Sequence, residues 1–164
     1  MITLILLRHA KSSWKDASLQ DFDRPLNKRG KGAAKLIGRF IRGQKLKPDL
    51  VLSSPAIRAR ETIDTVLQSS GRPLEVRYDE RIYEASSLRL LEVISQVEEN
   101  LKVVLLVGHN PGLEELLELL TDQCEQLPTA ALAKVTMETD KWSKIGGKKG
   151  RLDWLVTPKE LLRQ

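Results

Sequence analysis

The chain has 164 residues, with 27 Lys and Arg against 22 Asp and Glu and a formal net charge of +5. That length suits one sizeable core, so residues 1–164 are read as a single domain. Hydrophobic residues at 41% and charged residues at 30% exclude a disordered polyelectrolyte, and no apolar run approaches the ~20 residues of a membrane-spanning helix.

The apolar run Ile2 to Leu7 predicts a buried strand, and with neither a basic n-region nor a small-residue cleavage site a signal peptide is not expected. Asn27 is placed to cap a helix whose apolar positions Ala33, Ile37, Phe40 and Ile41 share one face, ended by Pro48. Leu50 to Leu52 is a second buried strand. Ser54-Pro55 has the cap-then-proline pattern of a helix start, with Ala59, Ile63, Val66 and Leu67 as its buried side. Leu74 to Arg77 is a short third strand, and Leu90, Leu91, Ile94 and Val97 form the next helical stripe. Val103 to Val107 is the clearest strand, rich in valine. Asn110-Pro111 repeats the cap-then-proline pattern before a helix with Leu113, Leu116, Leu117 and Leu120 on one face. Strands follow at Ala131 to Met137 and Leu152 to Val156, joined by the Gly- and Lys-rich stretch Lys141 to Gly150. Thr157-Pro158-Lys159-Glu160 is a capping box for a short terminal helix. Strands alternating with helices predict a three-layer α/β/α sandwich, its sheet mostly parallel with an antiparallel edge.

Charge narrows the partners. Nine basic residues and no acidic one lie between Arg24 and Lys47, and five more basic residues lie between Lys141 and Arg151. Aromatic residues are only 4%, too few for a base-stacking platform, and the predicted helical segment Leu113 to Glu125 is acidic. An anionic ligand or an acidic protein fits better than nucleic acid. Cys124 is the sole cysteine, which excludes an intrachain disulfide; it is expected to be a buried or semi-buried thiol, and the expected compartment is cytoplasmic. No membrane partner is expected.

The only two histidines, His9 and His109, each follow a predicted buried strand within two positions. Open α/β sheets place ligand sites at such carboxyl ends. Arg8 is adjacent to His9, and Arg58 lies at the start of the helix after the second strand. Two histidines and two arginines are therefore expected at one sheet edge. Guanidinium forks match phosphoryl oxygens, and a neutral imidazole can attack phosphorus and carry it. Neighbouring arginines disfavour the imidazolium and so keep the nucleophile unprotonated. The second histidine and the helix start at Asn110-Pro111 would stabilise charge on the phosphoryl oxygens. No His-x₃-His or Cys-x₂-Cys spacing exists, and two arginines would repel a cation, so neither a metal nor another cofactor is expected.

Leu7-Arg8-His9-Ala10-Lys11-Ser12, Ser53-Ser54-Pro55-Ala56-Ile57-Arg58-Ala59 and Val107-Gly108-His109-Asn110-Pro111-Gly112 resemble, in order, the three motifs of the histidine phosphatase (phosphoglycerate mutase-like) superfamily. The resemblance spans essentially the whole chain. Short length, Arg8-His9-Ala10-Lys11-Ser12-Ser13-Trp14 and Asp23-Arg24-Pro25-Leu26 resemble the small SixA-type phosphohistidine phosphatases. The resemblance implies a phosphoglycerate mutase-like fold, His9 as the phosphate-accepting nucleophile, Arg8 and Arg58 as phosphate clamps, and His109 as the second pocket histidine. It implies a metal-independent phosphatase whose partner is a phosphohistidine-bearing protein, such as a phosphotransfer domain. The alternatives are a phosphatase or mutase for small phosphate esters and a non-catalytic phosphate-binding module. Two departures stand out. Position 10 is Ala where many relatives have Gly, and the usual acidic residue has no unambiguous counterpart; Glu84 is the nearest candidate for a general acid. Trp14 is read as a wall of the site or as a buried or rim aromatic, and Asp23-Arg24 as a local ion pair or a substrate contact.

Overall fold

A computed structural model describes residues 1–163. Six strands, β1 (Ile2–Arg8), β2 (Leu50–Ser53), β3 (Val76–Tyr78), β4 (Val103–Gly108), β5 (Leu132–Met137) and β6 (Gly150–Val156), form one sheet in the order β3-β2-β4-β1-β5-β6. The first four run parallel, whereas β5 is antiparallel to both β1 and β6. Five α-helices are interleaved: α1 (Lys28–Gly43), α2 (Ile57–Ser70), α3 (Ser87–Ser95), α4 (Gly112–Thr121) and α5 (Pro158–Leu162). The architecture is the expected sandwich with its antiparallel edge. No helix among the described residues is long and apolar enough to cross a membrane.

The continuous apolar runs of the central strands follow from burial on both faces. Leu4, Leu6, Val104 and Leu106 turn to one side, where Leu90 and Ile94 of α3 and Leu113, Leu116 and Leu117 of α4 close over them. Ile5, Leu7, Leu105 and Val107 turn to the other side, against Ala34, Ile37 and Ile41 of α1 and Ala59, Ile63 and Val66 of α2. The helix after β1 and the helix after β4 therefore leave on opposite faces, and these two strands are neighbours with Arg8 opposite Gly108. That is a topological switch point, where a crevice opens at the strands' carboxyl ends. Two glycines let helix starts approach this edge. A Cβ at Gly30 would run into the Lys11 carbonyl, and one at Gly112 into the Ala85 carbonyl.

Several local expectations shift. Asn27 caps α1 as expected, its side chain accepting from the Gly30 amide at 2.8 Å. Ser54 and Asn110 are not caps: α2 starts after Ala56 and α4 after Pro111. The third strand begins at Val76, because β2 offers partners only from Val51 to Ser53. The stretch between β5 and β6 contains a 3₁₀ turn, Trp142–Gly147, anchored by the fully buried Trp142, whose indole donates to the Leu101 carbonyl at 2.5 Å. Cys124 is exposed rather than buried, because α4 ends at Thr121 and Asp122 turns the chain outward at φ 59°.

Candidate active site

His9 and His109 extend β1 and β4 by one residue each. Their ring centroids lie 5.2 Å apart, and both are buried. The His9 Nδ1–H donates to the Ala10 carbonyl at 2.7 Å, so the proton sits on that nitrogen and the lone pair is left on Nε2. Arg58, the second residue of α2, turns its Nε toward that Nε2 at 3.4 Å. Arg58 is itself held at the other end of its fork, donating from Nη1 to the Asp21 carbonyl (2.7 Å) and from Nη2 to Asp21 Oδ2 (2.9 Å). The Ala10 turn is fixed from below by Thr62, which accepts from the Ala10 amide at 2.9 Å and donates to the Arg58 carbonyl at 2.6 Å. One threonine thus ties the nucleophile's turn to the helix that carries the arginine.

A hollow of about 250 Å³ lies over His9, lined by Arg8, Lys11, Ser12, Trp14, Arg24, Arg58 and Thr129. Apart from His9, its charged lining is entirely basic. Arg24 donates to Ser12 Oγ at 2.5 Å, to the Ser13 carbonyl at 3.1 Å and to Asp21 Oδ1 at 2.9 Å. Trp14 is 76% exposed and lies on the Arg24 guanidinium, 3.2 Å from ring centroid to Cζ, so it is a rim aromatic. His109 lies against His9 and is braced by Ser54 Oγ at 2.7 Å from Nε2 and by the edge of the Tyr83 ring at 5.5 Å. Three buried side-chain polar atoms lack a hydrogen-bond partner among the described residues: Arg8 Nε, His109 Nδ1 and Asn110 Oδ1. All three are at these strand ends, and two of them belong to the histidine–arginine cluster.

The electrostatics follow from burial among cations. Burial pulls His9 down to about 4, reinforced by Arg58, Arg8 and Arg24 against the opposing Ala10 carbonyl. Burial also pulls His109 down to about 3, helped by His9 and Arg58. Both rings are neutral at pH 7. Burial pushes the Asp21 carboxyl up, but hydrogen bonds from Tyr83, Arg24 and Arg58 outweigh it and hold the group at about 2. Tyr83 donates its hydroxyl to Asp21 Oδ2 at 2.7 Å, and burial together with that bond pushes it up to about 12.

Residues 4–102 match the model of the histidine phosphatase superfamily (branch 1), a span that takes in both His9 and Arg58. The chain belongs to that superfamily. It is similar to a candidate phosphohistidine phosphatase SixA from Agrobacterium tumefaciens, with TM-score 0.83, 30% identity and coverage of 96% of this chain and 98% of that one. A second SixA candidate, from Nakamurella multipartitia, superposes with TM-score 0.86 at 25% identity over 96% of each chain. The phosphohistidine phosphatase SixA of Escherichia coli is 25% identical over 94% of this chain and 93% of its own length. Superfamily membership supports a phosphatase.

As a member of the histidine phosphatase superfamily, the chain brings together the four residues named from sequence, His9, Arg8, Arg58 and His109. It does not bring in Glu84. That residue is exposed, sits at φ 51° in the left-handed region, and borders a separate hollow with Asn110, Pro111 and Glu115. The carboxylate of the site is Asp21. Arg24 correspondingly pairs with Asp21, not with Asp23. Sequence reasoning also missed Tyr83, Ser54 as the brace of His109, and Thr62. One signal was available: Asp21 and Arg24 are spaced i, i+3 around a short turn, Asp21–Asp23.

Proposed function

We propose that this protein is a metal-independent phosphatase that works through a phosphohistidine on His9 and acts on phosphohistidine carried by another protein. The observation that carries the reading is the hydrogen bond between His9 Nδ1 and the Ala10 carbonyl. With the Nδ1–H committed there, Nε2 presents a lone pair beside Arg58 and under a basic hollow. In the first step the Nε2 lone pair attacks phosphorus, the substrate P–N bond breaks, and the departing imidazole leaves neutral because its other ring nitrogen carries a proton taken from solvent. In the second step water attacks phosphorus, the P–Nε2 bond breaks with its electron pair returning to Nε2, so that His9 is again neutral with its Nδ1–H kept, and the proton lost by the water passes to solvent. Arg58 and Arg8 balance the equatorial oxygens, and the unpartnered Nδ1 of His109 is a further donor when it carries the proton. Ser54 favours that tautomer when its hydroxyl donates to Nε2.

The openness of the site favours a protein-borne phosphate. The hollow holds only about 250 Å³, and its rim is an exposed tryptophan on an arginine. The basic stretch Arg24 to Lys47 would attract an acidic partner at encounter. The test is trapping of acid-labile phosphate on the protein after exposure to a phosphohistidine donor. Label on the wild type and none on His9→Ala is expected. A labelled, active His9→Ala protein would end the assignment.

A further inference from the structure

The hollow over His9 continues past Lys11 and Thr129 into a trough between α1 and α5. Its first part, about 270 Å³, runs between Arg29 and Ala33 of α1 and Pro158 and Lys159 of α5. Its second part, about 710 Å³, shares those four residues and extends over Leu36 and Arg39 to Leu162. The floor is apolar, made by Ala33, Leu36, Pro158 and Leu162, the last of these 75% exposed. The rim is basic: Lys11, Arg29, Arg39 and Lys159 are all exposed. The ion pairs of the described residues lie elsewhere. The one acid of α5, Glu160, is engaged by the Thr157 hydroxyl at 3.2 Å and does not line the trough.

We propose that this trough docks an acidic amphipathic helix of the protein substrate and delivers its phosphorylated histidine to the hollow at His9. The inference rests on the phosphatase reading above and adds where the substrate binds and what its surface looks like. Continuity is the first argument, because the trough opens directly into the hollow through shared residues. Complementarity is the second. Four cations, with no acid among the described residues that line the trough, call for Asp and Glu, while an apolar floor calls for an aliphatic ridge between them. Backbone chemistry is the third. Both walls are helices with their own hydrogen bonds made, so an extended peptide would find no strand edge there, whereas a helix satisfies its own backbone. From Arg29 to Arg39 the wall is about 15 Å long at 1.5 Å per residue, which matches about three turns of a partner helix.

Two synthetic peptides of equal composition test this. One carries Leu along one helical face, Glu on both flanks and a phosphohistidine at one end; the other scrambles that order. Wild type should show at least a tenfold higher kcat/KM for the amphipathic peptide. Arg39→Glu combined with Lys159→Glu should bring that ratio close to one while phosphoramidate turnover stays within twofold of wild type. A ratio near one in the wild type, or a ratio that survives the double substitution, overturns the proposal. If no phosphorylated compound is hydrolysed, the phosphatase reading fails separately, and docking is then read from binding of the unphosphorylated peptides. A tenfold weaker Kd for the amphipathic peptide in the double variant sustains the docking surface, and an unchanged Kd overturns it. A wild-type dimer that the double substitution dissociates, with no peptide preference, would assign the trough to a second copy and likewise overturn it.

Discussion

Asp21 and Arg58 meet twice at the mouth of the site, through the Asp21 backbone carbonyl at 2.7 Å from Nη1 and through Oδ2 at 2.9 Å from Nη2. Both terminal nitrogens of the guanidinium are thereby fixed, and its Nε is left facing His9. A carboxylate beside a phosphate site repels the substrate, so this arrangement needs compensation. Arg24, Arg58 and the Tyr83 hydroxyl all donate to the same carboxylate and spread its charge. Asp21 is accordingly a positioning residue acting through Arg58.

Asp21→Ala should lower kcat/KM on phosphoramidate by roughly 5–30-fold. That corresponds to about 1–2 kcal/mol, the lower end for charge-assisted bonds, because the carboxylate is partly solvent-exposed. The loss should fall mainly on kcat, since Arg58 keeps its charge but loses its aim. Asp21→Asn keeps an acceptor and should recover part of the rate. Equal losses in both variants, confined to KM, would show a purely structural role.

Acid sensitivity follows from the two buried imidazoles. Their folded values, about 4 for His9 and about 3 for His109, lie below the ordinary 6.5. Within that window the unfolded chain binds more protons than the folded one, so stability is full above about 6.5 and falls as the pH falls. Between pH 7 and pH 5 the two together should cost on the order of 3 kcal/mol, read as a lower urea midpoint. Asp21 has the same sign in a lower window, its contribution present above 3.8 and lost as the pH falls toward 2. Replacing both histidines by Gln should flatten the profile between pH 7 and 5; an unchanged slope would place the acid sensitivity elsewhere.

The sheet and the four-residue cluster were legible because they rest on local pattern plus one topological rule. Val103 to Val107 and Ile2 to Leu7 read as doubly buried strands, and residues just past such strands converge. What could not be read rests on contacts distant in sequence. The Ser54-Pro55 pair looks like a helix start, yet the Ser54 hydroxyl is taken by His109, 55 residues away. Tyr83 reaches Asp21 across 62 residues. Glu84 drew attention by being acidic, while its neighbour Tyr83 points to the site: a left-handed turn at Glu84 separates the two.

Arg58→Lys isolates the fork from the charge. Lysine has one nitrogen where Arg58 uses three, two on Asp21 and one toward His9. Activity should fall by about 2–3 kcal/mol, roughly 30–150-fold in kcat/KM. The protein should still fold, since Arg58 lies at the first turn of α2, and circular dichroism checks that. Unchanged kinetics in the folded variant would remove Arg58 from phosphate binding.

The supply of protons separates P–N from P–O cleavage. An alkyl phosphate expels a poor alkoxide unless an acid protonates it, a contribution of ~10²–10⁴-fold. Among the described residues the one carboxylate bonded into the cluster is Asp21, held at about 2 and therefore ionised, while both imidazoles are neutral and Tyr83 is pushed up to about 12. None of these is poised to give up a proton near pH 7. A phosphohistidine nitrogen, once protonated, leaves as neutral imidazole and depends much less on a dedicated acid. Phosphohistidine and phosphoramidate should therefore be hydrolysed well and alkyl phosphates at least 100-fold more slowly in kcat/KM. Glu84→Gln should leave P–N turnover unchanged, because Glu84 borders a different hollow. Comparable turnover of alkyl esters, abolished by Glu84→Gln, would instead make Glu84 the acid and the protein a small-ester phosphatase.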